Sequence, residues 1–144
     1  MEKLGIKELS DLFEVSEQTF RFYDSKGLFP FMKREENKYR YALVKDLHWF
    51  KMVFILKSTG MEIANIKEYL DLCMQGDSTV KERFEIIVKQ KEELKIKMSS
   101  MQEQLDLLTT KEKHYKKIIE TGQEDDWNPI NFEVVLKEKN IKKI

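Results

Sequence analysis

The side chains best suited to chemistry in this 144-residue chain stand together in the stretch TFRFYDSKGLFP, residues 19–30. Arg21 lies between two phenylalanines, and Tyr23 and Lys26 follow it closely. A guanidinium presents a planar fork of donors that suits a phosphate or the edge of a guanine. Aromatic residues alone would predict a buried core. Aromatics interleaved with cations predict a surface that contacts another molecule.

Enzyme chemistry finds little support in the rest of the sequence. There is no glycine-rich phosphate loop, no nucleophile elbow and no histidine with a plausible partner in the sequence. His48 stands between Leu47 and Trp49 in an amphipathic segment, where a structural role is expected. The sequence therefore predicts a protein that is not an enzyme and has no cofactor.

Cysteine and histidine are too few for a metal centre. Cys73 is the single cysteine, so an internal disulfide and a four-cysteine zinc site are excluded, and only His48 and His114 accompany it. No metal site is expected within one subunit, and this cysteine usage suits a reducing cytoplasm. No apolar run approaches the roughly 18 residues that a membrane span needs.

The overall charge does not point to a polyanionic partner. Charged residues make up 36% of the chain, yet the formal net charge is zero. Any binding to a polyanion would therefore depend on local cationic patches.

The elements around the opening stretch are predicted to be two short helices. Residues 6–13, IKELSDLF, repeat apolar side chains on one helical face: Ile6, Leu9 and Leu12. After a tight two-residue connection, Ser16 is suited to cap a second helix that runs to about Lys26. Two helices joined in this way form a helix-turn-helix, whose second helix can lie in the major groove of DNA.

Within the second helix, Val15, Phe20 and Tyr23 are predicted to anchor the helix to the domain. This leaves Gln18 and Arg21, among others, for solvent or DNA.

Residues 28–42 interrupt the helical pattern and predict a two-stranded hairpin, or wing. They contain Pro30, a polar tip at residues 35–37 and the alternation Tyr39-Arg40-Tyr41. Four cations (Lys33, Arg34, Lys38 and Arg40) outnumber two acids in this segment. The alternative is a solvated hairpin that only covers the helices.

Two further helices are predicted before a long one. One starts near Leu47 and the other contains Ile63, Ile66 and Leu70. Thr59 with Glu62, and Thr79 with Glu82, match the pattern of capping boxes.

After Gly76 the sequence carries a heptad pattern over about forty residues. One set recurs every seven residues: Val80, Ile87, Leu94, Met101, Leu108 and Tyr115. The second set lies four positions after each: Phe84, Lys91, Met98, Leu105, Glu112 and Ile119. Such a seam needs a partner helix, and a second copy of the chain is the simplest partner. The alternative is a coiled coil with another protein. Lys91 and Glu112 favour an antiparallel pair, in which opposite charges can approach.

These features, in this order, resemble the MerR family of bacterial transcription regulators. The shared elements are the helix-turn-helix, the run RFYDSKGL, a wing ending in NKYRY, a helix beginning with DL and the turn KSTGM. The resemblance covers residues 3 to about 75. It implies an all-α fold with a small β wing, divided into a winged-helix domain (1–76), a long dimerisation helix (77–121) and a short tail (122–144).

The resemblance also implies how these residues bind DNA. The recognition helix would contact DNA with its first half, the wing with its arms, and a lysine before Gly60 with the centre of the operator. The corresponding residues here are Ser16, Gln18, Thr19, Arg21, Tyr23, Arg34, Arg40, Tyr41 and Lys57. Phe22 replaces a tyrosine of many relatives, which removes a hydroxyl contact and leaves either stacking or a core role. Leu43 replaces their small polar cap.

The effector is less well indicated. The segment GDSTVKER resembles the linker of the aldehyde- and thiol-stress branch of the family, but the position of that branch's sensing cysteine corresponds here to Ile55. Cys73 is a substitute thiol or a small buried apolar residue. Alternatively, Trp127 and Phe132 of the tail fold back over a pocket between helices.

The sequence therefore predicts a cytoplasmic transcription regulator that binds promoter DNA as a homodimer. It would distort the promoter spacer for RNA polymerase in response to an unknown small-molecule or thiol-reactive effector. The alternative is an interaction protein on the same fold, such as a chaperone modulator or a coiled-coil adaptor, which binds protein instead of DNA.

Overall fold

The computed structural model describes residues 2–131, and the structural statements below concern those residues. The chain divides between Lys95 and Ile96 into two compact units. The predicted fold class, all-α with a small β wing, is confirmed. Phe132 of the predicted tail pocket lies outside the described residues. Within the described range, no helix combines the length and apolar character that crossing a membrane requires.

The first unit begins with the predicted helix-turn-helix. Strand β1 (Lys3–Gly5) leads into α1 (Ile6–Phe13), and α2 (Glu17–Ser25) follows a turn in which Glu14 adopts a φ of 56°. Ser16 caps α2 as predicted, because its hydroxyl accepts a backbone N–H from the first turn at 3.1 Å.

The wing contains one strand more than the sequence predicts. Strands β2 (Lys33–Arg34) and β3 (Arg40–Leu43) form the predicted antiparallel hairpin, and β1 pairs with the other edge of β3. Gly5 lies opposite Tyr41 in this pairing. The three-stranded sheet therefore brings the first residues of the chain next to the wing.

Two helices complete the domain around an aromatic core. A 3₁₀ turn (Val44–Asp46) leads into α3 (Leu47–Ser58), and α4 (Ile63–Gln75) follows. Phe20 of α2 is fully buried, and its ring centroid lies 5.3–6.3 Å from those of four other phenylalanines: Phe13, Phe29, Phe50 and Phe54. These contacts hold the recognition helix to the domain.

One prediction for α1 is wrong. Leu12 was expected to share the apolar face with Ile6 and Leu9, but Leu12 is exposed and Phe13 packs against the core instead. Residues three and four positions after Leu9 both lie on the same side of a helix as Leu9. The residue that reaches the core is Phe13, four positions later.

Both predicted capping boxes are also wrong. Thr59 ends α3, where its hydroxyl donates to the carbonyl of Leu56 at 2.6 Å, and Glu62 makes no side-chain cap. Thr79 belongs to a 3₁₀ turn (Asp77–Thr79), and its hydroxyl donates to the carbonyl of Leu72 at 2.6 Å. Each threonine hydroxyl donates a hydrogen bond to a backbone carbonyl at the end of the preceding helix. This hydrogen bond competes with the one that would cap the next helix.

Helix α5 (Val80–Thr121) contains 42 residues. Its first turns are joined to the domain by polar contacts: Arg83 Nε donates to Thr79 Oγ1 at 3.0 Å, and Gln90 Nε2 donates to the carbonyl of Thr59 at 3.0 Å. The division of the chain at residue 76 stays a prediction.

In the second unit, the segment after α5 folds back on that helix. The ring of Trp127 stacks on that of His114, with centroids 3.8 Å apart and planes 6° apart. Asp125 Oδ1 lies 2.7 Å from His114 Nε2, and Asn131 Nδ2 donates to the carbonyl of Asp125 at 2.8 Å. Trp127 therefore packs against one helix of its own unit.

Candidate nucleic-acid interface

The first turn of α2 presents small polar side chains. Ser16 and Gln18 are exposed and Thr19 is half-buried. The hydroxyl oxygens of Ser16 and Thr19 lie 2.8 Å apart. The backbone N–H groups at a helix N-terminus favour anions, so this end of α2 suits a phosphate.

Arg21 lies one turn further along α2 and is exposed. Its ion-pair partner among residues 2–131 is Glu17, with Nη2 and Oε1 4.0 Å apart. An exposed ion pair at this distance contributes little to stability, so the guanidinium of Arg21 is available to bind another anion.

A cleft of about 610 Å³ lies between α2, the start of α1 and the wing. Five cations line it: Lys3, Lys7, Arg21, Lys38 and Arg40. Two carboxylates, Glu17 and Glu35, accompany them, together with the rings of Tyr39 and Tyr41. Cations with interleaved aromatics form the kind of surface that the opening stretch predicts, and this surface has a local surplus of three positive charges.

Three of these cations were missing from the predicted DNA contacts. Lys3 and Lys7 reach the cleft because β1 pairs with β3, and Lys3 Nζ lies 4.5 Å from the centre of the Tyr41 ring. Lys38 stands at the wing tip with a φ of 67°. A three-residue strand has almost no sequence signal, which explains why Lys3 and Lys7 were missed.

Asp24 of α2 holds the wing. Its Oδ2 accepts hydrogen bonds from Arg40 Nε at 2.8 Å and from Arg34 Nη2 at 3.4 Å. The Asp24 side chain is 11% exposed, that of Arg40 23% and that of Arg34 52%. Arg40 therefore lines the cleft with its Nε already hydrogen-bonded to Asp24. Of the two predicted wing arginines, Arg40 makes the shorter and less exposed contact with Asp24.

Three of the nine predicted contact residues line the cleft (Arg21, Arg40 and Tyr41), and six do not: Ser16, Gln18, Thr19, Tyr23, Arg34 and Lys57. Tyr23 is half-buried, and its ring packs 6.2 Å from that of Phe29 and 5.9 Å from that of Phe54. Lys57 is also half-buried at the end of α3, where its Nζ lies 3.5 Å from the carbonyl of Met61. The core alternative for Phe22 does not hold, because this side chain is 49% exposed.

The two predicted sensor residues have different surroundings. Cys73 is half-buried in α4, next to Tyr69. Burial raises the pKa of Tyr69, and the neighbouring Cys73 raises it further. Trp127 is held by the contacts with His114, whose hydrogen bond lowers the pKa of Asp125.

One group of side chains among the described residues has metal-ligand chemistry. Donor atoms of His114, Asp125 and Asp126 lie within 4.8 Å of one another. The hydrogen bond between His114 and Asp125, together with the stacking of Trp127 on His114, explains why these two side chains lie close together. The third residue, Asp126, is exposed. The arrangement is explained by the packing of the tail.

A helix-turn-helix with a three-stranded wing and a cationic cleft between them defines a winged-helix DNA-binding protein. The sequence profile described as "MerR HTH family regulatory protein" matches residues 4–73. An uncharacterized HTH-type transcriptional regulator of Haemophilus influenzae is 36% identical over 103 residues, which are 72% of this chain and 76% of that protein.

Solved structures agree with this match. HiNmlR, a MerR family regulator lacking the sensor domain and crystallised with promoter DNA, is 31% identical with a TM-score of 0.68, over 85% of this chain and 97% of its own. A putative MerR family transcriptional regulator of Listeria monocytogenes is 33% identical with a TM-score of 0.67, over 96% and 97%. The chain belongs to the MerR family and is a transcriptional regulator. The alternative of an interaction protein that does not bind DNA is not favoured.

Proposed function

We propose that this chain binds promoter DNA as a homodimer, with the first half of α2 in a major groove and the wing on the adjacent backbone. The observation that carries the proposal is the convergence of Lys3, Lys7, Arg21, Lys38 and Arg40 on one cleft. Arg21 is placed to contact a base edge or a phosphate. Ser16, Gln18 and Thr19 stand beside it, and Arg34, Arg40 and Tyr41 support the wing contact.

The homodimer is proposed from the exposed face of α5. Ten apolar residues of the heptad seam are at least 36% exposed in the single chain: Val80, Phe84, Ile87, Leu94, Met98, Met101, Leu105, Leu108, Tyr115 and Ile119. A helix with such an apolar stripe is stable when a second helix covers the stripe. A second copy supplies a matching stripe.

Charge in the seam favours an antiparallel pair. Lys91 would meet another Lys91 in a parallel pair, whereas it meets Glu112 if the two helices run in opposite directions and cross between residues 101 and 102. In this arrangement, two copies of Met101 lie at the centre. Two copies of Leu94 lie about 22 Å apart, because 15 residues separate the equivalent positions at 1.5 Å each.

Cysteine cross-linking tests this geometry. In a Cys73→Ser background, Met101→Cys is expected to form a disulfide-linked dimer under mild oxidation, and Leu94→Cys is not. A disulfide needs Cα atoms roughly 4.4–6.8 Å apart. Cross-linking of both variants would indicate a parallel pair, and cross-linking of neither would contradict the proposed dimer.

The regulatory step is proposed from the family resemblance. The dimer would bend and untwist an overlong promoter spacer so that RNA polymerase can engage, and Lys57 would contact the distorted centre. The effector would be a small molecule or a thiol-reactive compound, with Cys73 or Trp127 as its sensor. A cytoplasmic location belongs to the same proposal.

Fluorescence anisotropy with a labelled duplex from upstream of the protein's own gene tests DNA binding. Lys7→Ala is expected to weaken binding about fivefold and to reduce its salt dependence by about one ion, because one phosphate contact is lost. Lys51→Ala, an exposed lysine of α3 that does not line the cleft, is the matched control and leaves both unchanged. If the wild-type chain formed no complex at low salt, the proposed DNA-binding interface would be wrong.

A further inference from the structure

One face of α5 in the second unit carries two exposed apolar residues that do not belong to the heptad seam. Ile96 is 70% exposed and Leu107 is 66% exposed. Both lie in line with His114, because an α-helix turns about 100° per residue and intervals of 11 and 18 residues return to nearly the same direction. We name this line of α5, from Ile96 to His114, the tail face.

One end of the tail face is already covered by the segment that follows α5. Gly122, with a φ of 71°, ends the helix and donates its N–H to the carbonyl of Ile118 at 2.8 Å. Asp125 Oδ1 then lies 2.7 Å from His114 Nε2, and the ring of Trp127 stacks on that of His114. The chain therefore reverses after α5 and runs back along it toward the uncovered part of the tail face.

The uncovered part has small side chains and one acid between its two apolar residues. The residues from 97 to 106 that lie within about 60° of the line are Ser99, Ser100 and Glu103, and all three are exposed. Among residues 2–131, no cationic nitrogen lies within the 4.0 Å of an ion pair from Glu103. The tail face thus offers apolar contacts and a negative charge that the described residues do not pair.

The proposed dimer leaves this face uncovered. The seam residues Met98, Met101 and Leu105 lie about 140–200° around the helix from Ile96. A partner helix on the seam therefore packs on the opposite side of α5, and something else must cover the tail face.

The chain itself has a segment of matching chemistry. Residues 132–144, FEVVLKEKNIKKI, lie outside the described residues and follow directly after the segment that covers His114. Four of the first five are apolar: Phe132, Val134, Val135 and Leu136. Four lysines and two glutamates in the segment give a surplus of two positive charges, which is opposite in sign to Glu103.

The segment is long enough to reach the whole tail face. It starts beside Asp125, because Asn131 Nδ2 donates to the carbonyl of Asp125 at 2.8 Å. Leu107 lies about 10 Å from His114 along α5, and Ile96 lies about 27 Å from it, at 1.5 Å per residue. Three extended residues span about 10 Å, and 13 span at most about 43 Å. The apolar block therefore reaches Leu107, and the lysines after it reach Glu103.

We propose that residues 132–144 dock on the tail face of their own chain, with the apolar block on Leu107 and a lysine on Glu103. Burial of the apolar side chains stabilises the docking. The exposed ion pair adds little energy but favours one position of the segment along α5.

Thiol labelling of the full-length protein tests whether the segment covers this face. In a Cys73→Ser background, Ser100→Cys places a thiol of nearly the same size as the serine in the middle of the tail face. Adding Val135→Ser and Leu136→Ser is expected to make its reaction with a maleimide about tenfold faster, because two apolar contacts that hold the segment are lost. Lys113→Cys, an exposed position of α5 about 100° from the line, is the matched control and reacts at the same rate with and without the two serines. Equal rates for Ser100→Cys in the two backgrounds would overturn the proposal.

Carbodiimide cross-linking identifies the chain that supplies the segment. Unlabelled and ¹⁵N-labelled full-length chains are refolded together, treated with carbodiimide and analysed by peptide mass spectrometry. An amide between Glu103 and a lysine of residues 137–143 is expected within chains of one isotope, and it is absent from Glu103→Gln. A product that joins the two isotopes would assign the segment to a second copy, and that product or the absence of any product would overturn docking within one chain. Neither measurement involves DNA, so its outcome is independent of the promoter-binding test.

Discussion

The contact between Asp24 and the two wing arginines allows a quantitative test of how α2 and the wing are joined. Both arginines donate to the same oxygen, but Arg40 lies at 2.8 Å and is mostly buried, whereas Arg34 lies at 3.4 Å and is half-exposed. The structure therefore contains two interactions with one acceptor that differ in distance and in exposure to solvent.

The expected coupling energies follow from this difference. A charge-assisted hydrogen bond that is largely shielded from water contributes about 1.5 kcal/mol. An exposed ion pair contributes at most about 0.5 kcal/mol, because water and salt screen it. We therefore expect coupling of about 1.5 kcal/mol between Asp24 and Arg40, and roughly 1 kcal/mol less between Asp24 and Arg34.

Two double-mutant cycles measure these energies. The variants are Asp24→Ala, Arg40→Ala, Arg34→Ala and the two doubles, and the free energy of unfolding is read from urea denaturation by circular dichroism. Protein concentration is held constant, because the stability of a dimer depends on it. Coupling below about 0.5 kcal/mol for Arg40, or equal coupling for both arginines, would refute the assignment of Asp24 as the residue that positions the wing.

Two further predictions concern the core and the tail. Phe20→Ala is expected to destabilise the protein by about 3–5 kcal/mol in urea denaturation because it removes a fully buried ring, whereas Phe22→Ala, a half-exposed control, costs under about 1 kcal/mol; equal losses would contradict the burial. The hydrogen bond from His114 lowers the pKa of Asp125 below its ordinary value of 3.8. The stabilisation of the tail by this hydrogen bond is therefore present above pH 3.8 and is lost as the pH falls through the lowered pKa of Asp125 in the folded protein. NMR titration of the Asp125 carboxyl carbon is expected to show this low pKa and its rise toward 3.8 in His114→Ala; an unchanged pKa in the variant would show that another group is responsible.

Local rules predicted the helix-turn-helix well. Ser16 has the right chemistry for an N-cap at the right place, and the predicted anchors on either side of it, Val15 and Phe20, both pack in the core. The wing hairpin followed from a proline, a polar tip and flanking aromatics. These signals are all contained within a few consecutive residues, so no tertiary information was needed.

Features that depend on tertiary contacts could not be predicted in this way. Leu12 and Phe13 were equally compatible with a helical face, and only the aromatic core decides between them. Thr59 and Thr79 match a capping box in sequence but bond to carbonyls of the preceding helices.

The cleft itself combines distant parts of the chain. Lys3 lies about 35 positions from the wing tip, and strand pairing brings it there. Asp24 reaches arginines 10 and 16 residues away. The sequence identified Arg21, Arg34 and Arg40 as cations of interest, but which of them are free and which are engaged is determined by the fold.

Hydroxyl-radical footprinting on the DNA upstream of the protein's own gene tests the central proposal most directly. Two protected segments related by a dyad are expected for the wild-type chain, since a symmetric dimer contacts two half-sites. Arg21→Ala is expected to lose this protection at a protein concentration at which the control Lys51→Ala retains it. Absence of protection by the wild-type chain at low salt, or equal protection by Arg21→Ala, would contradict the proposal that α2 and the wing form the DNA-binding surface.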